Sequence, residues 1–339
     1  MTIATARSID VHAHAVLQGT MGAAGKYGPE IGSDGDDKPW FRIGEYRLDG
    51  VRYRGSPFMD VDLRLDRMRE TGIEFQLLSP NPLTYFHFIE AQEAVLFCRR
   101  HNDELSDLVA AHPGRLAAVA ALPMQDPSAA CEELERAVVE LGMLGAYIGA
   151  ELPEPLDSPK LDIFYEKLCD LNVPLFIHPA PAGIDGPQGD QRLRRFDLEI
   201  LLGFAAQETL TIATLILGGV MSRHPTLDVC VSHGGGSIAV LAGRMADATR
   251  RRPWSPAELR EDGAFEELLS RFWVDNHIHD ESALASLESM LGAEHIVLGT
   301  NFAGWDQPTQ VRPDVAATQN MADNARRLLR FADGQTGEN

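Results

Sequence analysis

Ile9-Asp10-Val11-His12-Ala13-His14 is a short apolar run, β-branched at 9 and 11, that ends on two histidines one residue apart. Similar runs recur at 74–78, 116–121, 145–149, 174–178, 228–233, 272–276 and 296–301. Their hydrophobicity is nearly continuous rather than alternating, which marks strands covered on both faces, as parallel strands are under helices. Helical spacing fills the gaps at 60–71, 90–112, 128–141, 162–171, 208–222, 237–251 and 281–291. Asp126-Pro127 before the third of these and Gly142 after it match an acceptor cap with proline at the first helical position and a glycine stop. Eight strands alternating with helices predict an α/β fold of the (β/α)8 TIM-barrel type. A doubly wound open sheet is the alternative, but no Gly-x-Gly-x-x-Gly follows the first strand.

Two stretches, 15–59 and 179–207, are irregular and rich in Gly, Asp and Pro. They follow the first and fifth strands and are expected as active-face insertions in one barrel domain spanning 1–339. The 339 residues exceed the barrel's usual length of about 250 largely through these two loops.

Apolar residues make up 44% of the chain and charged residues 24%, which excludes a disordered, collagenous or coiled-coil class. Thirty Lys and Arg against fifty Asp and Glu leave a net charge of -20, so nucleic acid and anionic membrane surfaces are not expected partners. The same field opposes a carboxylate substrate unless arginines reverse the sign locally. The cysteines at 98, 131, 169 and 230 form no C-x-x-C pair, so neither a disulfide framework nor a zinc knuckle is expected. No secretory n- and h-region opens the chain and no 18-residue apolar run stands out in it; a cytoplasmic location is the expectation.

Four of the eleven histidines fall at predicted strand ends: His12 and His14 on the first strand, His178 on the fifth and His233 on the sixth. Residues two apart on a strand share a face, so His12 and His14 project together, as chelation of one ion requires. The fifth and sixth strands lie across the barrel mouth, where His178 and His233 can converge on that pair. Neutral imidazole suits Zn²⁺ and similar divalent ions. His277 and His279, just past the seventh strand, are further candidates for the rim.

The His-x-His of the first strand, the His178-Pro179 of the fifth, Ser232-His233-Gly234-Gly235-Gly236 at the sixth and Leu298-Gly299-Thr300-Asn301 at the eighth together resemble the amidohydrolase superfamily. Within it they are most similar to the branch that contains 2-amino-3-carboxymuconate-6-semialdehyde decarboxylase, and the likeness runs from Ile9 to about Asp306. It implies that His12, His14 and His178 ligate a divalent metal, most often Zn²⁺ with Mn²⁺ as the other choice, and that His233 is the acid/base. It also implies a homodimer. The glycines after His233 are read either as close approach to substrate or as a tight turn.

One departure stands out. The family's remaining ligand is an aspartate at the end of the eighth strand, where this chain has Asn301. Its amide oxygen can ligate but adds no negative charge and cannot act as a carboxylate base. Asp275 and Asp306 are the candidates to compensate. For the substrate carboxylate, Arg52 on the first insertion is the nearest match to the family's binding arginine, and Arg244 to one that reaches in from the partner subunit. Arg47, Arg54, Arg192, Arg194 and Arg195 also lie in the two insertions, and Trp40, Phe58, Tyr85, Phe86, Phe302 and Trp305 are candidates to line a ring-accepting pocket. The expected activity is metal-dependent non-oxidative decarboxylation of a small unsaturated or aromatic carboxylic acid. A hydratase or hydrolase using metal-bound water is the alternative.

Overall fold

The computed structural model describes residues 2–181, 184 and 190–331. The insertion expected at 179–207 therefore lies partly outside the described residues, as does the end of the chain from 332. Eight barrel strands are present: Ile9–Ala15, Phe75–Pro80, Leu116–Ala118 continued by Ala120–Ala121, Ala146–Gly149, Leu175–His178, Val229–Val231, Trp273–Asp275 and Ile296–Val297. Each pairs in parallel with its sequence neighbour. The Val11 N–H donates to Leu298 O at 2.9 Å, and Asp10 bridges Leu298, which closes the eighth strand onto the first. The expected barrel is the observed fold.

Side chains of Ile9, Val11, Phe75, Leu77, Val119, Tyr147, Phe176, Cys230, Trp273 and Val297 form one buried cluster inside the strands. Ala13, Leu78, Ala118, Ile177 and Val231 belong to a second one, shared with the outer helices. On a regular strand, Val11 and His12 would point to opposite faces. The first strand instead shifts register between Asp10 and Ala13. This bulge lets Val11 fill the barrel while His12 and His14 also turn inward at its mouth.

Asp10, fully buried, fastens the bulge. It accepts hydrogen bonds from the Thr300 N–H at 3.0 Å and hydroxyl at 2.7 Å, from Gln76 Nε2 at 2.9 Å and from the His12 N–H at 3.1 Å. Burial raises its carboxyl to about 6 against these donors. The equally buried Arg64, on the helix Val61–Thr71, holds Gln76 Oε1 at 3.0 Å and His14 O at 2.6 Å.

Helix boundaries follow local chemistry. Asp126 caps Pro127–Val139 by accepting from the Ser128 and Ala129 N–H groups, and Asp60 and Asp280 cap Val61–Thr71 and Glu281–Leu291 in the same way. Two helices were not anticipated, Ala264–Leu269 and Ala316–Leu328. The second buries Ala322, Ala325 and Leu328 against Ile3, Ala6 and Ile9 and plugs the end of the barrel away from the histidines.

The first insertion is not irregular. It carries an antiparallel sheet of Glu30–Asp34, Lys38–Ile43 and Tyr46–Asp49, with Gly44 at φ +54° in the two-residue turn between the last two strands. Phe41 and Ile43 pack with Tyr53, Phe86 and Phe97, so one face of this sheet seals against the barrel. The fifth helix also starts earlier than expected. Glu199–Gly203 forms a π turn leading into Phe204–Leu217. By length and composition Glu199–Leu217 could cross a membrane, a run that its two glutamates, 199 and 208, obscure in the sequence. Half of it is buried inside the fold.

Candidate metal centre

His12 and His14 emerge side by side from the bulge, and His178 ends the fifth strand, so that one ligand nitrogen from each lies within 4.8 Å of the others. All three rings are buried and each is held by its Nδ1. His12 Nδ1 pairs with Asp275 Oδ2 at 2.8 Å, His14 Nδ1 with Ser79 Oγ at 3.0 Å and Pro80 O at 3.1 Å, and His178 Nδ1 with Pro179 O at 2.6 Å. Each Nε2 is thereby left toward the centre. His12 Nε2 and His14 Nε2 are buried without any hydrogen-bond partner.

Two buried nitrogens without a partner cost about 1–3 kcal/mol each, a cost a divalent cation removes. Burial holds His14 down to about 3 and drives His12 and His178 well below the usual imidazole range, helped by the neighbouring histidines. They are therefore neutral and ready to ligate. The donor set fits a Zn²⁺ or Mn²⁺ ion, with Asp275 the outer carboxylate behind His12.

His233 follows the sixth strand with φ at +45°, a strained value for a residue with a side chain. Three glycines at φ +64°, +70° and +67° complete the turn. A Cβ on Gly234 would meet Ile278 at 2.4 Å, and one on Gly236 the Ala205 carbonyl oxygen at 2.2 Å. The glycines thus serve a tight turn packed on its neighbours. His233 Nδ1 contacts Glu208 Oε1 at 2.6 Å, and the same oxygen accepts from Ser232 Oγ at 2.6 Å. Burial opposes the imidazolium charge, but Glu208 outweighs it and raises His233 to about 9. The His233 ring centroid stands 4.9 Å from that of His12 and 5.1 Å from that of His178.

These groups open on a cavity of about 500 Å³. Its lining includes His14, His178, His233, His277, His279, Asn301 and Asp306 on the barrel side, with Tyr46, Leu48, Val51, Tyr53 and Phe58 from the first insertion. Asn301, at φ +44°, donates from Nδ2 to Asp306 Oδ1 at 2.7 Å, which leaves its amide oxygen available. Asp306 also takes His277 Nε2 at 2.9 Å.

Not every expected residue arrives there. Arg52 pairs with the Asp37 carboxylate at 2.8 Å and lines a different, exposed cleft beside Trp40. Its neighbours Val51 and Tyr53 line both this cleft and the cavity, whereas Arg52 lines the cleft alone. Arg47 is taken by Asp34 and Asp49. Arg244 is exposed on the helix Ile238–Arg251 and lines a groove with Leu217, Leu241, Met245 and Trp254, apart from the histidines. Among the described residues lining the cavity, Arg194 is the one Lys or Arg. Phe58 and Trp305 line it, whereas Phe86 and Phe302 are core and Tyr85 sits under a neighbouring cleft. Glu208 was not singled out from the sequence, although a lone carboxylate inside the apolar run 204–217 is costly to bury without a purpose.

The sequence profile of the amidohydrolase family matches residues 9–331, and the chain belongs to this family. It is 32% identical over 258 residues to the 2-amino-3-carboxymuconate-6-semialdehyde decarboxylase of Dictyostelium discoideum, covering 75% of this chain and 70% of that one. It is 34% identical over 260 residues to the gamma-resorcylate decarboxylase of Polaromonas sp., covering 73% and 78%. A solved 2,6-dihydroxybenzoate decarboxylase, complexed with 2,6-dihydroxybenzoate, superimposes with a TM-score of 0.69 at 27% identity, covering 81% of this chain and 89% of that one.

Proposed function

We propose that the protein is a metal-dependent non-oxidative decarboxylase, a carbon–carbon lyase acting on a small aromatic or unsaturated carboxylic acid. The observation that carries this reading is the convergence of His12, His14 and His178, each with a ligand nitrogen within 4.8 Å of the others, beside His233 held by Glu208 at the floor of a single cavity. A divalent ion, for which Zn²⁺ is our choice over Mn²⁺, would be held by His12, His14 and His178 with the Asn301 amide oxygen beside them. When bound it supplies Lewis acidity to an oxygen next to the scissile carboxylate.

The chain's own residues account for the remaining chemistry. Tyr46, Leu48, Val51, Tyr53 and Phe58 offer a planar ring an apolar wall and shield it from water. Glu208 fixes His233 by Nδ1, so its other nitrogen faces the cavity carrying a proton at neutral pH. The bond between ring carbon and carboxylate breaks, its electron pair stays on the carbon, CO2 leaves, and the carbon takes the proton from His233 Nε2. Glu208 stabilises the cation before transfer and favours reprotonation of the imidazole by water afterwards.

The test is CO2 release from a panel of hydroxybenzoates and muconate-type acids with metal-loaded protein. Turnover of any of these acids without CO2 would reject the reading in favour of a hydratase or hydrolase. A homodimer and a cytoplasmic location remain part of the proposal. The exposed side chains Leu210, Val240 and Trp254, the last lining the Arg244 groove, support a second copy as the occupant of that face. Sedimentation of the protein and of Val240→Asp checks it, with a monomeric wild type rejecting it.

A further inference from the structure

A second group of ligand atoms faces the same cavity and takes no part in the steps above. His277 and His279, past the seventh strand, and Asp306, beyond the eighth, bring one donor atom each within 4.8 Å of the others. The rings of His277 and His279 lie 4.9 Å apart at 78°, against 5.1 Å and 76° for His12 and His14. One His-x-His geometry thus occurs twice on this rim. Asp306 Oδ2 stands 2.9 Å from His277 Nε2 and 3.8 Å from His279 Nε2. A tetrahedral ion with ligands at about 2.0–2.2 Å spaces its donor atoms about 3.3–3.6 Å apart, between those two separations.

The supporting contacts also fit. Asn301 Nδ2 engages Asp306 Oδ1, which leaves Oδ2 directed at the histidines. Asp275 receives the His277 N–H on Oδ1 at 3.0 Å while its Oδ2 holds His12 at 2.8 Å, so one buried carboxylate braces both groups. A cation here would also answer an electrostatic problem. With Glu208 committed to His233, the cavity wall still carries Asp197, Glu199 and Asp306 against Arg194, a setting in which a second cation favours an anionic substrate.

We propose that His277, His279 and Asp306 bind a second divalent cation of the Zn²⁺ or Mn²⁺ class, and that this ion receives an anionic substituent of the substrate. The ion stands on the geometry alone, whereas its docking role rests on the decarboxylase reading.

The experiment is elemental analysis and calorimetric titration of the full chain, stripped and then loaded with Zn²⁺ or with Mn²⁺, without substrate. Two ions per chain are expected for the wild type and one each for His279→Ala, Asp306→Asn and His14→Ala. His279 is 65% exposed on its side chain, so its replacement leaves the fold intact. One ion per chain in the wild type, or two retained in both His279→Ala and Asp306→Asn, overturns the site. Failure of every acid to release CO2 would leave this count untouched, which separates the two proposals. For the docking role, His279→Ala should raise KM about tenfold with kcat changed less. Loss of the ion with KM unaltered overturns that role.

Discussion

The histidines of the barrel mouth and the arginines of the first insertion are both site candidates in the sequence, and the structure treats them in opposite ways. His12, His14 and His178 sit on strands, are buried, and have each Nδ1 committed so that each Nε2 is free. Arg47 sits on an exposed strand of the insertion's sheet and Arg52 just beyond that strand, where Asp34 and Asp37 pair with them. A chain with net charge -20 readily neutralises a loop arginine with a neighbouring carboxylate. Histidines on buried strands have no such competition, because the barrel fixes their direction before any partner is found. Residue type at a strand end therefore predicts a role better than residue type in a polar loop.

The sharpest way to break this contrast is His14→Ala. Removing one of three ligands should empty the centre and cut turnover by about 10³-fold or more, since metal assistance is worth several kcal/mol and each 1.4 kcal/mol is tenfold. Metal content and kcat measured together decide it, and a variant that binds as many ions as the wild type would remove His14 from the centre. Next is His233→Ala, expected to lose about 10²–10⁴-fold in kcat with metal content unchanged. If the ion leaves too, His233 is a ligand and not the proton donor. Asp275→Asn, which weakens the carboxylate behind His12, should lower metal affinity about 10–100-fold in a competition titration.

Glu208→Gln tests the proton donor more finely. Glu208 raises His233 to about 9 against the effect of burial, so the imidazolium persists through neutral pH. Because the folded value lies above the ordinary one of about 6.5, the pair's contribution to stability is complete below that pH and fades as pH rises through about 9. Without the carboxylate the basic limb of the kcat/KM profile should move to lower pH. An unmoved limb would assign it to another group.

The eight strands were legible because each is a buried apolar run, and the four histidines because they close three of those runs. Three features escaped for physical reasons. The bulge at Val11–His12 changes side-chain direction without changing composition, so the alternation rule placed His12 and His14 together but could not show that Val11 shares their side. Glu208 precedes His233 by 25 residues on another element, and nothing local joins them. The hairpin at 38–49 follows an alternation of Phe41, Ile43, Tyr46 and Leu48 around Gly44, masked by the charged residues on its open face. Asn301 stands where the resemblance implies an aspartate. Its link to Asp306, five residues on, exists only because the backbone turns back at φ +44°.

The smallest expected effect separates the arginines themselves. Arg52 is the residue that sequence likeness favours, while Arg194 is the one that geometry places at the cavity. An exposed guanidinium already paired with Asp37 gains little by contacting substrate, because exposed ion pairs are worth about 0–1 kcal/mol and must be broken first. Arg194 has an open cavity before it, and a charge-assisted contact there is worth about 1.5–3 kcal/mol. Arg194→Ala should accordingly raise KM for the carboxylate substrate about tenfold to a hundredfold, whereas Arg52→Ala should leave it within about twofold. The reverse order would mean that the first insertion rearranges when substrate binds, exchanging Asp37 for the substrate carboxylate. The strand-end histidines would then be the fixed half of the site and the insertion its adaptable half.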